Sequence, residues 1–218
     1  MEIPIVGVRR FKDDDYDWYR ILFKLDCADG VSGSGYVARI NFELTGSQGD
    51  TSVLDMTNGY LGNTGGEEIL AVWIDDTVTI GVPVTVNAPP VVSDTFNVTI
   101  DIENVTNLDG GQFELSFDSD VVTVEDVGAG SIGDTEIPVM WSFGNTGTVE
   151  VLFNLPGLRG VSGNGYVAKI GFAINGSQGG MSALDISNGL LVDTGADKIP
   201  AIWTRDEVTI QEQRRPDQ

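Results

Sequence analysis

"TFNVTIDIENVTNLDGGQFELSF" spans Thr95–Phe117 and holds two alternating apolar runs. In the first, Phe96, Val98, Ile100 and Ile102 alternate with Thr95, Asn97, Thr99 and Asp101. In the second, Phe113, Leu115 and Phe117 alternate with Gln112, Glu114 and Ser116. A period of two sends successive side chains to opposite faces of a pleated strand, so each run reads as a strand with one buried and one wet face. "NLDGG" (Asn107–Gly111) between them reads as a hairpin turn, because Asp109-Gly110 tolerates the positive φ that such turns need. "TVEVLF", "YVAKIGFAI" and "DEVTI" carry the pattern on, with Ala168, Ile170 and Phe172 facing one way. "APP" at Ala88–Pro90 cannot donate to a ladder and marks a loop. No apolar stripe of helical period runs over about 11 residues or more. Many short period-two runs, split by Gly, Asn and Asp, predict an all-β chain folded as an antiparallel β-sandwich.

Part of this pattern occurs twice. "VSGSGYVA" (Val31–Ala38) is nearly repeated as "VSGNGYVA" (Val161–Ala168), and Val31–Ile80 aligns with Val161–Ile210 at a constant offset of 130 with 28 of 50 positions identical. Trp73 matches Trp203, and Asn58-Gly59 matches Asn188-Gly189. Upstream, "RILFKL" (Arg20–Leu25) matches "EVLFNL" (Glu150–Leu155), and Ile3-Pro4 matches Ile137-Pro138, with four extra residues around "KDDDYDWY" in the first copy. Val82–Glu136 has no second copy in the chain. The expected organisation is the C-terminal part of a first repeat (residues 1–81), a complete repeat (82–211) and a polar tail or linker (212–218). A sandwich needs both of its sheets. Ile21, Phe23, Leu25, Ile40, Phe42 and Leu44 are therefore expected to face a core with strands missing, at about 9–18 kcal/mol of forgone burial. Strands of a longer protein, strands borrowed from another chain, or self-association through the incomplete repeat would each relieve this. The Gly-rich phrase reads as a sharp turn at Gly163, Asn164 and Gly165 before a strand that begins at Tyr166. It is no phosphate loop, since a strand and not a helix follows it.

Composition narrows the function. Net charge is -21, which argues against nucleic acid and against anionic membranes as partners. It suits solubility, cations or a basic partner. There is no His, so the commonest general base and metal ligand is missing. The single Cys27 can form no internal disulfide. No run approaches a membrane span, and "MEIPIVGVRR" is not a signal peptide. Any signal or anchor is expected outside this chain.

With the order of motifs on the page, the complete repeat resembles a cohesin domain, the receptor module of cellulosome-type scaffolds and related surface proteins. "VTIDIENVTNLDGGQFELSFDSDVVTVEDVGAGS" (Val98–Ser131) is similar to that family's early strands. "FDSDVVTV" stands where the family has a "YDP-x-V-L-x-V"-like segment, with Phe117 for the Tyr and Ser119 for the Pro. "GVSGNGYVAKIGFAI" resembles the Gly-rich segment and the strand after it, and "DTGADKIPAIWTRDEVTI" resembles the last loop and terminal strand. The resemblance implies a nine-stranded jelly roll that binds a dockerin through one outer sheet face, without a cofactor, any calcium being the dockerin's. Carried over by position, the partner-facing residues would be Gln112 and Glu114 on one strand, Glu150, Leu152 and Asn154 on the next, and Lys169, beside Val167 and Gly171, on a third. Where well-known members have polar Asn and Asp at the start of the first of these strands, Gly110 and Gln112 stand here. The implied role is a non-catalytic interaction module of an extracellular or cell-surface scaffold.

Two other readings compete with it. A purely structural surface repeat would have no partner of its own. A carbohydrate-binding sandwich would present exposed coplanar aromatics, for which Trp141, Trp203, Tyr166, Tyr16, Trp18 and Tyr19 are the candidates. Of these, Trp203 recurs as Trp73 and reads as framework. Nothing singles out a carboxylate pair for glycosidase chemistry among 33 acidic residues. "FDSD" (Asp118, Asp120) and Asp13–Asp15 lack the spacing of a calcium loop. Sequons at Asn97, Asn104 and Asn175 are compatible with secretion.

Overall fold

The computed structural model describes residues 3–12, 17–25, 30–157 and 159–211. Every regular element among them is a β-strand, and none is a helix long and apolar enough to cross a membrane. Cys27, Asp13–Asp15, Tyr16 and the 212–218 tail lie outside the described residues. The chain forms two compact units, Met1–Thr45 with Ser52–Val78 and Gly46–Thr51 with Thr79–Gln218.

In the first unit, β1 (Ile5–Lys12) and β2 (Asp17–Phe23) form an antiparallel hairpin. Its exposed surface is ordered by rings and guanidinium groups. Phe11 stacks flat on Trp18 at 4.0 Å, with Arg20 over both rings. Arg10 Nε donates to Asp17 Oδ1 at 2.8 Å, which holds the Asp17 carboxyl below its ordinary range. A second two-stranded sheet pairs β3 (Thr51–Leu54) with β4 (Asp76–Thr79).

The second unit contains β5 (Val82–Asn87), β6 (Val91–Val92), β7 (Phe96–Ser116), β8 (Val122–Ile132), β9 (Thr135–Ile137), β10 (Val139–Phe143), β11 (Thr148–Asn154), β12 (Val161–Ile174), β13 (Met181–Asp193), β14 (Lys198–Ile199), β15 (Ala201–Thr204) and β16 (Asp206–Ile210). These are twelve strands where nine were expected, and β6, β9 and β14 are pieces of two or three residues. β7 is common to both layers. Its N-terminal half pairs with β5 and β12, and β12 continues to β8 and β9. Its C-terminal half pairs with β11 and β13, and β11 continues to β10. Parallel pairs β15–β5 and β16–β6 close the ends of the roll. The alternating residues meet between the layers in one core that includes Val98, Ile100, Ile102, Phe113, Leu115, Phe153, Ile170, Phe172, Leu184 and Leu191. Each fully buried side chain of this size contributes about 1.5–3 kcal/mol. This is the antiparallel sandwich that the alternation predicts, in the jelly-roll form that the resemblance implies.

Two local expectations are overturned. "NLDGG" is no hairpin: β7 runs through it without a break. The strand bends instead at Asn104 (φ 53°) and Asn107 (φ 57°), as a strand passing from one layer to the other must. Nor is "VSGNG" a turn ahead of a strand. It is the first part of β12, with register shifts between Val161, Gly163 and Gly165. Ser162 Oγ accepts the Asn107 N–H at 2.9 Å, and Asn164 Oδ1 accepts the Asn104 N–H at 2.6 Å. The polar residues of the phrase thus satisfy the backbone donors that the bends of β7 free. Gly165 is required by close approach, since a Cβ there would lie 2.0 Å from the Ser131 carbonyl oxygen. The "APP" segment is a loop, as expected.

Candidate partner-binding site

Five of the six expected partner-facing residues share the outward face of β10, β11, the C-terminal half of β7 and β13. Strand register lays them out in rows. Met140, Leu152, Gln112 and Leu190 form one row, and Ser142, Glu150, Glu114 and Ser187 the next. Asn154 stands beyond Leu152, opposite Gly110. The alternate positions Val149, Val151, Phe113 and Leu115 are buried in the core, which fixes the outward direction of the two rows. Met140 is 63% and Leu152 44% exposed, so apolar surface lies in water beside a pair of carboxylates. A shallow concavity on this face is lined by Gln112, Glu114, Met140, Glu150, Leu152 and Asn188.

Glu114 and Glu150 stand directly opposite each other on adjacent strands. Two like charges so placed oppose pairing unless other groups share the load. Glu114 Oε2 accepts from Ser187 Oγ at 3.2 Å and from Asn188 Nδ2 at 2.5 Å. Glu150 Oε2 accepts from Ser142 Oγ at 3.4 Å. The ion pairs among the described residues are Arg10–Asp17 and Arg205–Asp185, and neither involves Glu114 or Glu150.

Asn188 is brought to the site by a repeated device. It adopts φ 53°, as does Asn58, and the following glycine in each copy lies against a Trp ring. A Cβ on Gly189 would come within 2.2 Å of Trp203, and one on Gly59 within 2.1 Å of Trp73. Trp203 also packs beside Phe113, with centroids 6.4 Å apart. Both tryptophans are framework, as the repetition implies.

The sixth expected residue is elsewhere. Lys169 on β12 stands opposite Thr99 and Gly128, at the other end of β7 from Gln112 and in the other layer. Its neighbours Val167 and Gly171 are buried. A register shift between Tyr166 and Ala168 turns Val167 inward, and the Asp126 side chain covers Gly171, where a Cβ would lie 2.3 Å from Oδ1. Met140, Ser142, Ser187 and Asn188 join the face without having been expected there. "VMWSF" has one polar residue in an otherwise apolar edge strand and gives no period-two signal, while Asn188-Gly189 stood out only as part of the repeat.

The other candidates resolve separately. Trp141 and Phe143 meet edge to face at 5.3 Å and 86°, which is not the flat platform a sugar ring needs. Trp18 is stacked on Phe11, Tyr19 is exposed near Arg10 and Tyr166 is half-buried. Asp118 Oδ1 accepts the Asp120 N–H at 2.9 Å and caps a turn. Among the described residues no three His, Cys, Asp or Glu side chains are grouped so as to hold a metal ion.

Comparison with known proteins places this architecture. A family model described as the cohesin domain matches residues 82–210. A non-cellulosomal cohesin from the hyperthermophilic archaeon Archaeoglobus fulgidus superposes with a TM-score of 0.53 at 17% identity, over 61% of this chain and 93% of that one. The sixth cohesin of scaffoldin B from Acetivibrio cellulolyticus, solved in complex with a Cel5 dockerin, superposes with a TM-score of 0.52 at 17% identity, over 61% of this chain and all of that one. A type I cohesin from a cohesin–dockerin complex of Clostridium thermocellum gives a TM-score of 0.52 at 19% identity, over 60% and 94%. Comparison with curated proteins gave no match.

Proposed function

The chain belongs to the cohesin family of non-catalytic binding modules, and from that premise we propose that residues 82–211 bind a dockerin-type partner through the outward face of β10, β11, β7 and β13. The observation that carries this reading is the exposed Met140–Leu152 row beside the Glu114–Glu150 row on one concave sheet face. Apolar side chains held in water on a rigid sheet gain by being covered, and uncompensated carboxylates steer and orient a partner with basic groups. Gln112, Glu114, Glu150, Leu152 and Asn154 are the contact residues from the expected set, and Met140, Ser142 and Asn188 complete the face. Lys169 has no part in it. Calcium belongs to the dockerin, and this chain supplies side chains alone. Residues 1–81 are the C-terminal part of a first repeat, and the setting implied is an extracellular or cell-surface scaffold.

Calorimetric titration of the full chain with dockerin modules, with and without calcium, tests this. Binding is expected only with calcium, and Leu152→Asp is expected to weaken it by at least about thirtyfold, the loss typical of a central apolar contact. Unchanged affinity of Leu152→Asp would remove this face from the interface. Absence of binding to every dockerin tried would leave a structural repeat.

A further inference from the structure

At the offset of 130, Arg20, Leu22 and Lys24 stand where the second copy has Glu150, Leu152 and Asn154. The outward residues of β11 thus recur in the first copy with their charge reversed. Strand pairing completes the rows. Arg9 stands opposite Arg20 and Gly7 opposite Leu22, as Ser142 stands opposite Glu150 and Met140 opposite Leu152. Arg9 and Arg20 are two like charges on facing positions, as are Glu114 and Glu150. Arg20 lies 5.8 Å from the Phe11 ring centre and 5.9 Å from that of Trp18, a contact that positions a guanidinium without cancelling its charge. Asp17 is taken by Arg10, and alternation puts both on the other side of the hairpin. The ion pairs among the described residues involve neither Arg9 nor Arg20. Arg9, Arg20 and Leu22 are exposed, and this does not depend on what covers the other side of the hairpin, because Ser142, Glu150 and Leu152 are exposed in a unit that has both layers.

We propose that the Arg9–Arg20 side of the β1–β2 hairpin docks on the Glu114–Glu150 face of a second copy of this chain. The chain carries both halves of the match. On each face one two-residue step, about 7 Å along a strand, separates the charged row from the apolar one. In a single register the two arginines therefore meet the two glutamates while Leu22 meets Met140 and Leu152. Each charged row is strained by its own like pair and relieved by the other. The net charge of -21 repels copies at long range, but in about 0.15 M salt that repulsion is screened beyond about 8 Å, while pairs in contact are not. The contact joins two different faces, so it does not close on itself, and copies string head to tail.

Sedimentation of the full chain tests this. In about 0.15 M salt the average mass is expected to rise with concentration beyond the dimer, and to return to the monomer value in about 1 M salt, where the screening length falls to about 3 Å. Arg9→Ser with Arg20→Ser, and separately Glu114→Gln with Glu150→Gln, are each expected to weaken association by about tenfold or more. Mixed in equal amounts, the two variants supply one intact face each, and a one-to-one dimer with nothing larger is expected. Its formation also shows that both variants are folded. A monomer at every concentration would overturn the proposal, whether the faces are satisfied within one chain or kept for another protein. So would association that survives in both variants or in about 1 M salt. The contact needs no dockerin, so this result and the calorimetric titration are decided separately.

Discussion

"GYVARINF" and "GYVAKIGF" are nearly one peptide, and only the second is a strand. Ile40 and Ile170 sit in peptides that differ only at the flanking Arg39/Lys169 and Asn41/Gly171, yet they have opposite fates in water. The difference lies in what is laid against them. β12 is clamped between β7 and β8, while residues 36–44 form no strand. The Asn-Gly device behaves differently, for Asn58 and Asn188 hold the same φ and Gly59 and Gly189 the same Trp contact in both units. Local chemistry sets this backbone bend, whereas burial and ladder pairing come from a partner layer far away in sequence.

The largest expected contrast is at the paired phenylalanines. Phe172→Ala should destabilise the second unit by about 3–5 kcal/mol. Phe42→Ala should change stability by no more than about 0.5 kcal/mol. Denaturant unfolding of both variants checks this, and equal losses would mean that Phe42 is covered in solution. Next comes the shared device. Gly189→Ala pushes a methyl group into the Trp203 ring and should remove about 1–3 kcal/mol from the second unit, and Gly59→Ala should shift the fluorescence of Trp73 in the same sense. A change confined to one copy would break the equivalence.

The smallest effect separates the copies by charge. Asp185 pairs with Arg205 at 3.7 Å, and the counterparts of these residues are two acids, Asp55 and Asp75. The charge of Asp75, then burial, raises the Asp55 carboxyl above its ordinary 3.8. A raised acid binds its proton more tightly in the folded form, so its contribution is favourable at low pH and is lost as pH rises through its folded value. NMR titration should place the Asp55 midpoint above 3.8, and Asp75→Arg should bring it down. Both groups are exposed, so the consequence for stability is small and screened by salt.

The sequence made the antiparallel sandwich legible because period-two runs such as Phe96–Ile102 and Phe113–Phe117 declare their buried face, while the jelly-roll form came from the resemblance. It hid the continuity of β7, because Asp109-Gly110 has the chemistry of a hairpin and only pairing with β11 and β13 on either side keeps the strand straight there. Gln112, Glu114, Glu150, Leu152 and Asn154 were assigned to one face by the resemblance, and alternation added only that they point outward. Lys169 was misplaced because outward-facing positions look alike in either layer. Met140 and Ser142 were invisible because an edge strand exposed on both faces has no alternation to read.

The most direct test of the proposed function is a hydrogen-exchange footprint of the full chain, free and saturated with a dockerin in calcium. The account predicts new protection in 139–143, 148–154, 110–116 and 185–192, and none around Lys169. Protection centred on 122–132 and 165–171, with 148–154 unchanged, would contradict it.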